Sequence, residues 1–213
     1  GDVSSTKVRT LQSIDIPLSV RDYIESENLY YMKQLGELIS RRRLLHSLSV
    51  ANLAYHIAQR NKVRDYPKAY IAGILHDCGK EMDEETTEAI MRERFPQYAD
   101  FPKWCHHQFV GAYLAEKVFH IRDEAILDAI EFHATGKAHM APLSKIIYSS
   151  DKIEPTRGFD SRKLIQACYR HYYIGFMTVL KENKIYLESK GKEVDNPLTK
   201  ECFDLYLGEN YDD

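Results

Sequence analysis

Apolar positions recur at intervals of three and four over most of the chain, the period of helices that bury one face. From Arg41 to Arg60 the stripe is Leu44, Leu45, Leu48, Ala51, Leu53, Ala54, Ile57 and Ala58. Pro67 suits the first turn of the next helix, which runs through Tyr70, Ile71, Ile74 and Leu75 and is expected to end at Gly79. Asp83 to Arg94 is charged, with Ala89, Ile90 and Met91 apolar, and Phe95-Pro96 closes it. His107 to Phe119 carries Val110, Ala112, Leu114, Ala115 and Val118. Asp123 is a good N-cap for a helix through Ile126, Leu127 and Ile130, ended by Thr135-Gly136. Pro142 opens a further helix through Leu143, Ile146 and Ile147. Ser161 caps a stretch from Arg162 to Lys190, broken near Tyr172 and stopped by Gly191, and Pro197 marks a loop. No segment alternates strictly between hairpin turns, so strands are few or absent. The prediction is an all-α fold.

The length of 213 residues suits one domain, or one domain plus an appendage. Hydrophobic residues are 44% and charged residues 29%, values that exclude collagen-like, wholly disordered and coiled-coil chains. Lysine plus arginine is 29 against 32 acidic residues, a formal charge of −3. No global basic field exists to hold DNA or RNA, although a local pocket for a small phosphate compound fits the composition. The cysteines Cys78, Cys105, Cys168 and Cys202 form no C-x-x-C pair, which argues against a thiolate zinc site and for reduced thiols in the cytoplasm. No apolar run is long enough to cross a bilayer and no leader pattern opens the chain, so neither a membrane partner nor secretion is expected.

Five histidine or aspartate positions change the picture: His46, the pair His76-Asp77, His107, His133 and Asp151. Successive members lie 30, 31, 26 and 18 residues apart, each gap about one helix and one turn. Side chains on successive helices of one bundle can therefore meet at a common centre, the way helical bundles build metal sites. His46 lies on the stripe with Val50, Leu53 and Ile57, where a buried imidazole needs partners. His76-Asp77 follows the apolar run 71–75, and Asp151 follows another, Ile146 to Tyr148. Buried acids and bases are costly unless paired or metal-bound. His56, His106, His120, His139 and His171 stand outside this order and read as ordinary structural residues.

The ordered set H…HD…H…H…D resembles the HD superfamily of metal-dependent phosphohydrolases. The similarity extends to Arg43-Leu44-Leu45-His46-Ser47, to Ala72 through Glu81, to His107-Gln108-Phe109-Val110-Gly111-Ala112, to Ala129 through Gly136, and to Lys145 through Arg157. Together these resemble the bacterial symmetrical diadenosine-tetraphosphate hydrolases, over about residues 33–207. Ser150-Asp151-Lys152 stands where that family usually has Ala-Asp-Tyr, His133-Ala134-Thr135-Gly136 where it has His-Thr-Thr-Gly, and Val194 to Thr199 where it commonly has Ile-His-Pro. The departures touch substrate contacts more than metal ligands. The first residues resemble something else. Val3-Ser4-Ser5-Thr6-Lys7-Val8-Arg9, Ile16-Pro17, Tyr23-Ile24 and Asn28-Leu29-Tyr30 are similar to the tail of nicotinate-nucleotide adenylyltransferases. The expected organisation is an adenylyltransferase tail over 1–31, a covalently linked adenylyltransferase domain before it, and an HD-domain helical bundle over 32–213 with a metal site at its centre.

The resemblance implies that His46, His76, Asp77 and Asp151 hold a first metal. His107 and His133, with Asp77 bridging, hold a second ion or hydrogen-bond the phosphate. A site of nitrogen and oxygen donors suits iron, manganese, magnesium or nickel, and the resemblance favours iron, as one ion or two. His76, Asp77, His107 and His133 are the expected catalytic groups, around a water that the metal activates. Nucleotide contacts are expected from Arg43, His46, Asp77, Cys78, Gly79, Lys80, His107, His133, Ala134 and Arg157, and from a loop of Val194, Asp195, Asn196, Pro197, Leu198 and Thr199. Arg43 lies one turn before His46, and its fork suits phosphate. The implied reaction converts diadenosine tetraphosphate into two ADP. A nucleotidase acting on mononucleotides and a non-catalytic nucleotide-sensing module stay open beside it, as do monomer and homodimer.

Overall fold

In the computed structural model, residues 31–208 are described, and the account below concerns those from Gln34 onward, which belong to one unit. The adenylyltransferase-like motifs fall within residues 1–30 and lie outside the described residues. The helices are α1 (Arg41–Arg60), α2 (Pro67–Leu75), α3 (Glu84–Arg94), α4 (His106–Lys117), α5 (Glu124–Glu131), α6 (Pro142–Ile153), α7 (Arg162–Arg170), α8 (Tyr172–Ser189) and α9 (Pro197–Tyr206). Single 3-10 turns at Pro96–Tyr98 and Lys103–Cys105 join α3 to α4. No strand occurs among the described residues, as the all-α prediction requires.

Local chemistry sets the starts. Ser40, Asp83 and Asp123 cap α1, α3 and α5 by accepting from backbone N–H groups of the first turn. Pro67, Pro142 and Pro197 occupy first turns, where a missing N–H costs nothing. The expected cap at Ser161 is corrected: its side chain makes no cap bond, and Asp160 instead accepts from the Arg162 N–H at 3.1 Å. Pro197 also departs from expectation. It opens α9 rather than marking a loop, because Asn196 accepts from the Thr199 N–H at 2.8 Å.

Packing follows burial. The segment Ala69 to Leu75 of α2 is buried throughout, and ten of the twelve residues of α6 are buried. These two helices form the centre, with α1 and α5 packed on both of them. The α4 helix packs on α5 and α3 on α4, while α7 and α8 pair beside α1 and α6. Leu45, expected in the buried stripe of α1, is 51% exposed. Val50, Leu53, Ala54, Ile57 and Ala58 set the inward face, and Leu45 falls outside that arc. Gly73 lets α1 and α2 approach closely, since a Cβ there would stand 2.5 Å from Ala51 Cα. That crossing brings His46 of α1 beside His76 at the end of α2, with ring centroids 5.2 Å apart.

Candidate metal centre

The helix bearing the pair ends earlier than its pattern suggests, at Leu75 rather than Gly79. His76 and Asp77 therefore sit in the turn after α2. Gly79 in that turn lies against α4, where a Cβ would meet the Gly111 nitrogen at 2.6 Å and the His107 carbonyl at 2.9 Å. Glu81 fastens the far end of the turn by accepting from the Ser40 N–H at 2.8 Å and the Ser40 hydroxyl at 2.6 Å. Gln108 of α4 holds the turn after α5. It accepts from the N–H groups of Ala134 (3.0 Å) and Thr135 (3.1 Å) and donates to the Thr135 hydroxyl at 3.0 Å. His133 is thereby set against His107.

The six residues singled out by order in the chain meet in space. One ligand atom from each of His46, His76, Asp77 and Asp151 lies within 4.8 Å of the others, and the same holds for Asp77, His107 and His133. Asp77 belongs to both sets through different oxygens. Its Oδ2 lies 3.7 Å from His46 Nε2 and 3.5 Å from His76 Nε2. Its Oδ1 lies 3.5 Å from His107 Nε2 and 3.4 Å from His133 Nε2. Asp151 Oδ1 stands 3.0 Å from His46 Nε2 and 3.2 Å from His76 Nε2.

Each imidazole is aimed by its other nitrogen. Nδ1 of His76, His107 and His133 donates to the carbonyl three residues earlier, at Gly73 (2.6 Å), Trp104 (2.9 Å) and Ile130 (2.7 Å). His46 Nδ1 instead meets the buried carboxylate of Glu154 at 3.1 Å. Every Nε2 is left facing inward, the orientation that metal-binding histidines take.

This donor set fits a cation. With both Nδ1–H groups spent on carbonyls, His107 and His133 face each other through their Nε2 atoms across 3.2 Å. That contact requires a proton or a cation between them. Burial first, and then the neighbouring His133, push the His107 ring down to about 3. At the other set, burial opposes charge on His46, but hydrogen bonds to Asp151 and Glu154 outweigh it and raise the ring to about 9. Burial likewise opposes ionisation of Asp77 and Asp151, yet the neighbouring histidines hold both carboxyls well below the usual range. Two ionised carboxylates converge on imidazoles, the environment that a divalent ion neutralises.

A cavity of about 810 Å³ opens over this centre. Arg43, Lys80, Lys152, Arg157 and Lys192 line it against Asp77, Asp151, Glu193 and Asp195, so the lining is already positive by one in a chain of net charge −3, and a bound cation adds to that. Arg43 Nη1 lies 3.0 Å from Asp77 Oδ2. Arg157 donates from Nε and Nη2 to the Asp151 carbonyl at 2.9 and 2.7 Å. Of the other expected contacts, Ala134, Val194, Asp195, Asn196 and Thr199 line the cavity, whereas Pro197 and Leu198, in the first turn of α9, do not. Cys78 and Gly79 also stand off it, the buried thiol donating to the Gly111 carbonyl at 3.4 Å.

The sequence alone assigned no role to several residues here. Glu154 and Gln108 act behind the histidines. Trp104 is half exposed at the cavity mouth and donates from Nε1 to Asp195 at 2.8 Å, tying the chain before α9 to the turn before α4. Lys152 and Asn183 form part of the wall. All four cysteines are free and buried, and no helix among the described residues is long and apolar enough to cross a membrane.

Known proteins are similar to this chain. A family model described as HD domain matches residues 43–156. A symmetrical bis(5'-nucleosyl)-tetraphosphatase of Bacillus subtilis (strain 168) is 35% identical over 162 residues, which cover 73% of this chain and 85% of the relative. A probable nicotinate-nucleotide adenylyltransferase/Ap4A hydrolase of Mycoplasma genitalium is 33% identical over 143 residues, 67% of this chain. The match covers 40% of that relative's length. A crystal structure described as a predicted HD superfamily hydrolase involved in NAD metabolism, from Clostridium acetobutylicum, superposes with TM-score 0.70 at 29% identity, covering 86% of this chain and 96% of that one.

Proposed function

Since this chain belongs to the HD-domain family, we propose that it is a metal-dependent phosphohydrolase that splits diadenosine tetraphosphate into two ADP. The observation that carries the reading is the shared carboxylate of Asp77, between two imidazole sets at the floor of a cation-lined cavity. The names of the Bacillus and Mycoplasma relatives support the substrate.

In this reading His46, His76, Asp77 and Asp151 hold one ion, and Asp77 with His107 and His133 a second. Iron is our choice among metals that accept nitrogen and oxygen donors. When bound, the metal supplies an acidified water and positive charge for the phosphoryl oxygens. The chain's own groups do the rest. Arg43 and Arg157 present guanidinium forks beside the two ligand carboxylates, placed to grip phosphate oxygens as well. Lys80 adds charge at the rim. The carbonyls of Gly73, Trp104 and Ile130 and the carboxylate of Glu154 keep four imidazoles from turning. Asn196 and Thr199 wall the nucleotide end. Water delivers its oxygen to the second phosphorus, the bond from that phosphorus to the bridging oxygen breaks, the second ADP leaves with that oxygen, and the two protons of the water pass to solvent.

The bifunctional name of the Mycoplasma relative, together with the motifs in residues 1–30, supports an adenylyltransferase domain linked upstream. The coding sequence before this segment decides that point. For the activity, the test is chromatography of products from dinucleoside polyphosphates of three to five phosphates. The expected product of the tetraphosphate is ADP alone, with His76→Ala and Asp77→Ala slower by orders of magnitude. Release of ATP plus AMP, or unchanged rates in either variant, would refute the reading.

A further inference from the structure

Lys152 is held unlike the two arginines of the cavity. Arg43 and Arg157 each lie within 3.1 Å of a ligand carboxylate, Asp77 or Asp151, so their charge is shared with groups that grip a metal. Lys152 follows Asp151 on α6 and lines the same cavity. Its Nζ stands 3.4 Å from the centre of the Tyr148 ring and donates to the His133 carbonyl at 3.2 Å. Asn183 of α8 donates to the Tyr148 hydroxyl at 3.1 Å, which fixes the ring beneath the ammonium. Among the described residues no carboxylate oxygen lies within bonding distance of this Nζ. An ammonium has three donors. One carbonyl and one ring face leave a donor for the cavity; Asp151 and Asp77 act on the ammonium only through space, so burying its charge is costly unless the third donor finds an anion.

We propose that Lys152 is a phosphate-binding residue, taking a polyphosphate oxygen one phosphate away from the group at the metal centre, and that it sets the preference for a long phosphate chain. The inference rests on the hydrolase reading for its substrate, but its chemistry asks only for a condensed phosphate. Position supports it. The ammonium lies against the His133 carbonyl, on the α6–α8 wall, whereas Arg43 and Arg157 sit at the carboxylates of the first ligand set. A polyphosphate carries a charge on every phosphate, and a chain that crosses the centre needs cations on both sides of it. A monophosphate engaged at the centre reaches only one side.

The test is calorimetric titration of the metal-loaded protein with inorganic tripolyphosphate, for the natural chain, Lys152→Met and Lys152→Arg. Methionine keeps an apolar stem against Tyr148 and removes the charge. A charge-assisted hydrogen bond predicts tripolyphosphate binding weaker by about tenfold to hundredfold in Lys152→Met, with metal content and Tm unchanged, and most of the loss restored in Lys152→Arg. In turnover, Lys152→Met should raise KM for the tetraphosphate more than it lowers kcat. Unaltered tripolyphosphate binding overturns the proposal. So does loss of metal along with affinity, or an arginine variant as weak as methionine, because either marks Lys152 as a prop for the His133 turn. A protein that binds tripolyphosphate through Lys152 yet leaves dinucleoside polyphosphates intact would refute the hydrolase reading and keep this one.

Discussion

Glu154 offers a clean test of whether the centre is built for a metal. It is 1% exposed and sits three residues beyond Asp151. Burial opposes its ionisation, but hydrogen bonds from His46, Ser49 and Thr156 hold its pKa near 2. It is therefore charged at any ordinary assay pH. Its Oε1 meets His46 Nδ1 at 3.1 Å and the Thr156 hydroxyl at 2.6 Å, while Oε2 accepts from the Thr156 N–H at 2.7 Å. The negative charge behind His46 both orients the ring and raises the basicity of Nε2. Removing such an outer partner typically weakens metal binding by about tenfold to hundredfold, or roughly 1.4–2.8 kcal/mol. Glu154→Gln preserves volume and one acceptor but deletes the charge. We expect it to lose metal in that range when titrated against a chelator, with metal measured by mass spectrometry. Glu154→Ala should lose as much metal and also destabilise the metal-free fold by about 1–3 kcal/mol, because the Thr156 donors are left unpaired. If Glu154→Gln binds metal within twofold of the natural chain while His46→Ala does not bind it, the carboxylate is a loop clamp and the argument fails.

Other consequences are equally direct. Gly79→Ala places a Cβ 2.6 Å from the Gly111 nitrogen, against backbone that cannot yield. It should cost about 1–3 kcal/mol in denaturant melts, with metal content falling as the His76-Asp77 turn shifts. Trp104→Phe and Asp195→Ala each break the indole tie. A double-mutant cycle on KM should show a coupling of about 0.5–1.5 kcal/mol, and strict additivity would count against a strap. Glu131 has its pKa raised from 4.5 to about 7, by burial first and then by Asp128, against the opposing charge of Lys137. The folded state thus holds this proton more tightly than the unfolded one, and stability falls as pH rises from the unfolded pKa through the folded value. Glu131→Gln should match the natural chain at pH 4 and exceed it at pH 8. At 1.36 kcal/mol per pKa unit the gain is at most about 3 kcal/mol, and partial exposure reduces it to roughly 1–2. Equal melts at both pH values would contradict that sign.

The helices were legible where local chemistry decides them, and the centre where order along the chain does. Asp123, with the prolines at 67 and 142, marked starts from the sequence, and the Asp123 capping bonds stay within three residues. The ligand order was readable because one donor group per helix is what a bundle centre demands. The reading failed where a distant contact overrides the local pattern. The period of α2 continues toward Gly79, but the chain leaves the helix at Leu75 because Gly79 must lie against Gly111 of α4, across 32 residues of chain. Glu154 reaches His46 across 108 residues, and no spacing rule announces a carboxylate that serves a ring from behind. Gln108 looked like one more polar residue on α4, yet it carries three hydrogen bonds that fix the His133 turn. Lys152 was visible only as a departure from a familiar triplet, since the ring beneath it and the carbonyl beside it come from elsewhere in the fold. Groups that bond a metal are constrained in residue type and so leave a pattern. Groups that orient those ligands need only a donor or acceptor in the right place, which many residue types at many positions supply. A tenfold or greater loss of metal in Glu154→Gln would therefore be evidence for the centre that the H…HD…H…H…D order could not itself provide.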